Sequence, residues 1–340
     1  MVNQVNSALT LAPASPQVVP LPSSQTDFWD DFLKVGISSS TQIVYARAIN
    51  DFCRRIYQCQ VSASILSQFL SLPQAEAVYQ LLHYRQLLIA AKLAPSTINV
   101  RLSALKSLVE YARKLERCTF SLEDVKSLKV ETYRDTTGIS ISEFKDTIVL
   151  PDRTTTIGIR NYAILRLLWD NALRRNEICS LDLGDFDKSG RLWILGKGKI
   201  QKSPIDLAAT TTNAIGEWLA VRGNAHREDP LSCPTSIVEE PDQSAPLFIS
   251  LDRRSHGHRL DGSSIYRLVR KFSAAAGIDQ VISPHRIRHS AITAYLDTSG
   301  GNIRAAQGLS RHANLNTLTR YDDNRHKYQA QASNVLADLV

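Results

Sequence analysis

Four short stretches in the C-terminal half carry side chains suited to work on a phosphate. In Leu173-Arg174-Arg175-Asn176-Glu177, Arg174 and Glu177 stand three apart, which puts them on one helical face. A guanidinium offers a bidentate fork to a phosphate, and a neighbouring carboxylate can orient it. Gly196-Lys197-Gly198 projects a lysine from a turn that can approach a ligand backbone closely. No Ser or Thr follows Lys197 and the earlier glycine spacing is missing, so this is not a Walker A loop. Pro284-His285-Arg286-Ile287-Arg288-His289 opens on a helix-starting proline, after which His285 and Arg288 face the same way. His285 and His289, four apart, leave chelation of a metal open, although the zinc-peptidase pattern His-Glu-x-x-His lacks its glutamate. The fourth stretch is Leu309-Ser310-Arg311-His312, followed by Thr319-Arg320-Tyr321-Asp322, with His312 and Tyr321 nine apart. Taken singly, each has an ordinary alternative: a surface ion pair for Arg174 and Glu177, an exposed turn lysine, a packed tyrosine.

In order they read Arg…Lys…His-x-x-Arg…His…Tyr, an ordered set that resembles the tyrosine recombinase family, and the resemblance implies attack of a hydroxyl on a phosphodiester. Such a reaction builds negative charge on the equatorial phosphate oxygens, which two bidentate arginines stabilise. A free phenol has a pKa of about 10, so Tyr321 needs a base or a positive environment to act as a nucleophile. The same cations provide that environment and stand in for a metal, so no cofactor is expected.

The ordered set resembles the tyrosine recombinase family, the phage integrase, Xer and Cre type of DNA strand-exchange enzyme. "NALRRNEICSLDLGDF" is similar to the family's first arginine box, and "HRIRHSAITAYLD" with "LSRHANLNTLTRYDD" to its second box, running to the nucleophile. The resemblance covers about residues 26–340. It implies that Arg174 and Arg288 clamp the scissile phosphate. It makes Lys197 the general acid to the leaving 5′-oxygen, His285 an acid–base partner, His312 a phosphate ligand and Tyr321 the nucleophile. Glu177 then supports Arg174, and His289 supports the site from behind. Three positions depart from the family pattern: Ala172 and Arg311, where glycine is usual, and Arg175, where an aliphatic residue is usual. The resemblance also implies double-stranded DNA with inverted-repeat core sites as partner and a homotetramer on synapsed DNA. A C-terminal exchange helix would join the protomers.

The elements that must position these groups are mostly helical. Residues 1–25 contain four prolines and no charge, and read as a flexible arm. From 26 to 117 the periodicity predicts a helical bundle, with helices near 41–57, 74–92 and 95–115. Tyr45, Ile49, Phe52 and Ile56 form the buried face of one, and Leu102, Leu105, Val109 and Ala112 that of another. Arg47 and Arg54 lie seven apart, as do Asn99, Lys106 and Arg113. They form polar stripes that are either solvated faces or, as the resemblance implies for Arg47, Arg54, Lys106 and Arg113, DNA contacts of a core-binding domain. Residues 118–140 read as a linker. The catalytic domain spans 141–340, with helices near 158–171, 174–181 and 208–222 and further helices after Asp261. Arg191–Leu195 and Ile200–Ile205 flank the Gly-Lys-Gly turn as a hairpin. The expected fold class is therefore mainly α with a small β-hairpin or sheet: a helical core-binding domain followed by an α+β catalytic domain.

Composition agrees. Hydrophobic residues at 43% and charged residues at 21% of 340 describe a globular chain with a substantial core and exclude wholesale disorder. No apolar run reaches the roughly 18 residues of a membrane span, and no secretory signal opens the chain. Five cysteines without a CxxC pair fit neither a disulfide framework nor a thiolate zinc site, and suit a reducing compartment. Forty Lys and Arg against 33 Asp and Glu give a net charge of +7, which favours an anionic partner such as nucleic acid. The expected location is the cytoplasm of a bacterium, at the nucleoid or a plasmid. Two alternatives are a type IB topoisomerase-like nicking and rejoining enzyme and a non-catalytic DNA-binding protein such as a repressor.

Overall fold

Side-chain caps start most of the helices in the computed structural model, which describes residues 25–34, 38–130, 138–225, 242–312, 315, 333–334 and 336–338. The chain divides into two units, Met1–Thr132 and Tyr133–Val340. The first holds five helices among its described residues: α1 (Gln25–Lys34), α2 (Ser39–Ile56), α3 (Ala63–Leu70), α4 (Gln74–Ala90) and α5 (Pro95–Lys114). Ser38 and Ser62 cap α2 and α3 by accepting from the backbone N–H of Thr41 and Ile65. Proline at the first position of α5 supplies a ready-made helical φ. Ile49, Phe52, Leu102, Leu105, Val109 and Ala112 are buried together, and Tyr45 and Ile56 are half-buried against them. Phe52 meets Phe69 and Tyr84 edge-on, at 5.1 and 5.2 Å between centroids, a favoured aromatic geometry.

The stretch read as a linker from 118 begins as part of this bundle. Cys118, Phe120, Leu122 and Val125 are buried in its core. Polar side chains bond to its backbone: Gln74 exchanges two hydrogen bonds with Ser121 at 2.9 Å each, and Asn99 two with Leu128, at 2.8 and 2.9 Å. Lys106 donates to the Val125 carbonyl. Two of the three residues of the α5 polar stripe thus face protein, because an irregular segment has unpaired peptide groups that need partners.

The second unit is built of α6 (Ile141–Ile148), α7 (Thr156–Asp170), α8 (Arg175–Cys179), β1 (Phe186–Asp187), β2 (Arg191–Ile194), β3 (Ser203–Asp206), α9 (Ala209–Ala225), α10 (Gly262–Ala275), α11 (Pro284–Thr298) and α12 (Ile303–Ser310). The strands form one antiparallel sheet in the order β1-β2-β3. The fold is mainly α with a small sheet, as expected. β2 pairs with β3 from Arg191↔Asp206 to Ile194↔Ser203, so the connection is longer than the Gly-Lys-Gly turn alone. Ile200, expected in the second strand, is instead 98% exposed. Lys202 anchors the far end of this connection by bridging Asp182 and Asp185 at 2.8 and 2.7 Å.

α11 is the central support of the site. Ile287, Arg288, Ala291, Ile292 and Leu296 are buried along it. Gly138 lies against its other side: a Cβ there would stand 2.3 Å from Ser290 Oγ. That hydroxyl also accepts from the Ile139 N–H at 2.8 Å. Gly138→Ala should therefore lower the stability of this unit by about 1–3 kcal/mol, the usual range for overpacking. Chemical denaturation read on the full chain checks this, and an unchanged midpoint would refute it.

Residues 1–24 of the expected arm, 131–137 of the expected linker, Tyr321 and, towards the C-terminus, 316–332, 335 and 339–340 lie outside the described residues.

Candidate active site

The site begins where α7 stops. Asn171 ends the helix, and Ala172 then takes φ +45, the left-handed region that favours glycine. The turn buries Leu173 completely and delivers Arg174 as the N-cap of α8. Glu177 sits at the third helical position, where a carboxylate can reach back to the cap. Its Oε2 accepts from the Arg174 backbone N–H at 2.8 Å, and its Oε1 from Arg174 Nη1 at 2.7 Å. Glu177 is only 3% exposed. Burial opposes its charge, yet the Arg174 N–H and the Arg311 and Arg174 guanidiniums outweigh this, holding its pKa below the ordinary carboxylate value.

α11 supplies the second arginine. Ser283 caps the helix by accepting from Arg286 N–H, and Pro284 occupies its first turn. His285, Arg288, His289 and Ile292 follow at intervals of three and four on one face. Arg288 is 2% exposed and donates to the Ala172 and Ser310 carbonyls. It thereby ties the turn before α8 to the end of α12. Beneath these contacts lies a small apolar core of Ala172, Ala291, Ile292, Leu296 and Ala306.

α12 supplies the third edge. It ends at Arg311 in the left-handed conformation, φ +56, and leaves His312 half-buried beside the arginines. Burial, then the charges of Arg288, Arg174, Arg311 and His285, lower the His312 pKa to about 4. Partial desolvation, Arg288 and Arg174 lower His285 as well, although its ring still reaches solvent. The result is a positive recess in which both imidazoles are neutral at pH 7, an arrangement that an anion would relieve.

Five residues singled out from the sequence, Arg174, Glu177, His285, Arg288 and His312, thus converge. Lys197 does not join them by any hydrogen bond or ion pair among the described residues; it sits exposed on the β2–β3 connection, next to Gly198 at φ +76. His289 is half-buried one turn along α11 from His285. Among the described residues, no three His, Cys, Asp or Glu side chains gather as metal ligands.

A family model described as the phage integrase family matches residues 143–327. A tyrosine recombinase of Synechocystis sp. (strain ATCC 27184 / PCC 6803 / Kazusa), slr0733, is 47% identical over 314 residues, covering 92% of this chain and 95% of that protein. The chain belongs to the phage integrase family of tyrosine recombinases. Two solved structures share the fold at lower identity. XerH site-specific recombinase bound to palindromic difH substrate, in a post-cleavage complex, has TM-score 0.60 and 18% identity, covering 93% of this chain and 86% of that one. A lambda integrase tetramer bound to a Holliday junction has TM-score 0.57 and 14% identity, covering 89% and 78%.

The site of this tyrosine recombinase therefore belongs to a site-specific recombinase, and its departures from the family pattern acquire places. Ala172 and Arg311 both occupy left-handed backbone, the conformation that explains glycine there. Arg175 lies over the start of α10, where a Cβ on Gly262 would stand 2.8 Å from its Nε. Sequence reasoning had no role for Arg311; a non-glycine residue at a helix C-cap glycine position was the available signal. In the recombinase's first unit, Arg47, Arg54 and Arg113 are exposed, whereas Lys106 is half-buried against Val125. No helix among the described residues is long and apolar enough to cross a membrane.

The lowered histidines make the recombinase's stability pH-dependent. In the unfolded chain these imidazoles bind protons near pH 6.5, but in the folded unit His312 does so only near 4. Stability from the neutral form is complete above about 6.5 and is lost as pH falls towards 4. Melting temperature should drop over that window, and His312→Asn, which takes up no proton, should reduce the drop. Parallel melting curves for the two proteins would refute this.

Proposed function

We propose that this recombinase cleaves and rejoins duplex DNA through a covalent 3′-phosphotyrosyl intermediate, without metal or ATP. The observation that carries the reading is the convergence of Arg174 and Arg288 on His285 and His312 in one positive recess. Arg174 and Arg288 hold the non-bridging oxygens of the scissile phosphate, and His312 donates to one of them. Tyr321 Oη attacks phosphorus, forming the P–O(Tyr) bond as the bond to the 5′-oxygen breaks. Lys197 gives its proton to that leaving oxygen, and His285 takes the phenolic proton. Glu177 keeps Arg174 oriented. In the reverse direction a 5′-hydroxyl attacks the phosphotyrosine and releases Tyr321, so the bond energy is conserved and no nucleotide is consumed.

The lysine requires the β2–β3 connection to fold towards the DNA, which its exposed position and left-handed Gly198 allow. The substrate is duplex DNA with inverted-repeat core sites. The assembly is a homotetramer in which the C-terminal segment of each protomer docks on its neighbour; the lambda integrase tetramer on a Holliday junction supports this. Arg47, Arg54 and Arg113 contact phosphates of the site, with Lys106 holding the 125–128 segment beside them. The chain acts in the bacterial cytoplasm, on the nucleoid or a plasmid.

The test is covalent trapping in excess EDTA. The probe is a duplex selected by the full chain from a random-sequence pool and nicked within the selected site, 3′ of the scissile phosphate, so that cleavage releases a short fragment bearing the 5′-hydroxyl. Adduct should accumulate equally with EDTA and with Mg²⁺. Adduct lost on chelation and restored by a divalent ion would overturn the metal-free mechanism. Binding with no adduct in either condition would leave a DNA-binding protein, and adduct of equal yield on every sequence would favour a topoisomerase-like enzyme.

A further inference from the structure

Arg311 shares an acceptor with each of the two arginines of the recess. Its Nη2 donates to Glu177 Oε2 at 3.2 Å, while Arg174 holds the other oxygen of that carboxylate at 2.7 Å. The same nitrogen donates to the Ala172 carbonyl at 3.2 Å, which also accepts from Arg288. Nη1 donates to the carbonyls of Asn171 at 3.1 Å and Leu309 at 2.7 Å. The side chain is 19% exposed. Each terminal nitrogen thus donates to two protein acceptors, which uses all four of its terminal N–H groups and leaves none of them for a phosphate.

The backbone around it makes this arrangement unusual. Arg311 and Ala172 are both left-handed, at φ +56 and +45, and glycine would adopt either conformation without strain. A glycine at 311 would end α12 equally well, but would leave Glu177 held by Arg174 alone and the Ala172 carbonyl by Arg288 alone. The guanidinium therefore does something a helix cap does not.

We propose that Arg311 is a positioning residue for strand cleavage, fixing Arg174 through Glu177 and Arg288 through the Ala172 carbonyl in one rigid frame. The inference rests on the cleavage mechanism proposed above. A planar fork with several N–H groups suits the task, because it spans a carboxylate and three carbonyls from two chain segments at once. Lysine has one nitrogen and cannot bridge both segments in the same way.

The experiment compares the full chain with its Arg311→Gly and Arg311→Lys variants on the nicked selected duplex described above. Four quantities are read: duplex affinity, melting temperature, the single-turnover rate of adduct formation and the titration of the His312 ring followed by NMR. Arg311→Gly should bind DNA as the unchanged chain does, since the terminal N–H groups of Arg311 are all held by protein. Its adduct rate should fall about 10²-fold, the scale of a misplaced catalytic group. Arg311→Lys should fall between the two. The ring titration supplies a reading that loss of packing alone would not move. His312 faces the charges of Arg288, Arg174, Arg311 and His285; removing one of them raises its proton affinity, so the His312 ring should titrate at higher pH in the glycine variant and as in the unchanged chain in the lysine variant.

A glycine variant that cleaves at the unchanged rate, with an unmoved His312 titration, overturns the inference while leaving the mechanism standing. An unchanged chain that forms no adduct overturns the mechanism and this inference with it. Should the glycine variant melt below the assay temperature, the lysine variant decides: full cleavage rate there refutes the bridging role.

Discussion

Tyr321→Phe binds duplex DNA as tightly as the unchanged chain and forms no covalent adduct. The substitution deletes one hydroxyl, the atom that would attack phosphorus, and leaves every group of the recess in place. Tyr321 lies outside the described residues, and its assignment rests on the family pattern and on its position nine residues after His312. Tyr328 is the nearest rival, sixteen residues after His312. A phenol of pKa about 10 is mostly protonated at neutral pH, so the nucleophile has to arrive beside positive charge. Arg174, Arg288 and Arg311 supply that charge, and it is strong enough, with burial, to hold His312 neutral down to about pH 4. The expected loss is complete rather than partial, because phenylalanine cannot form the ester at all. Denaturing gels of the trapped complex read it directly. An adduct that survives in Tyr321→Phe and disappears in Tyr328→Phe would move the nucleophile to Tyr328.

The chemistry was legible because its residues come as short local patterns. Arg174 and Glu177 are one capping motif, and His285 and Arg288 are one helical face, so spacing alone places each pair. What spacing does not carry is the joining of patterns more than a hundred residues apart. Arg288 and Arg311 meet at the Ala172 carbonyl only because α7, α11 and α12 share a small core. Arg311 read as an unexplained departure because its role depends on a left-handed φ and on Glu177, 134 residues earlier.

The basic stripe on α5 shows the same limit. Asn99 and Lys106 fit a solvated or DNA-facing stripe by periodicity, yet they bond to the backbone of residues 125–128. That stretch mixes apolar and charged residues without a sustained period, and burial of Phe120, Leu122 and Val125 settles it only in three dimensions. The short strand β1 and the short helices α3 and α6 escaped separate prediction because two to eight residues are too few for a period to show. Ile200 misled in the opposite sense. A β-branched residue suggests a strand, but here it stands exposed in the connection that carries Lys197.

Removing either phosphate arginine should abolish cleavage, but only one removal should also loosen the protein. In the proposed mechanism Arg288→Ala and Arg174→Ala each delete a cation that stabilises charge on the transferring phosphate, and arginines in that role contribute about 10³-fold or more. Their structural positions differ. Arg288 is 2% exposed, and its two terminal nitrogens satisfy the carbonyls of Ala172 and Ser310. Truncation opens a cavity beside the small core of α11 and α12 and removes a donor from each of those carbonyls. Arg311 still reaches the first of them. The Ser310 carbonyl loses this bond outright. The combined cost is about 2–3 kcal/mol, or about 5–10 °C in a unit of this size. The Arg174 side chain is 28% exposed and makes one ion pair. After Arg174→Ala, Glu177 keeps Arg311 and the backbone N–H of residue 174, so its charge stays compensated and the loss should be about 1 kcal/mol or less. Adduct formation should therefore fail in both variants while melting temperature separates them. Retained adduct in either would remove that arginine from the phosphate clamp. Arg288→Ala melting with the unchanged chain would show that its carbonyl bonds hold nothing together, leaving its burial without a structural reason.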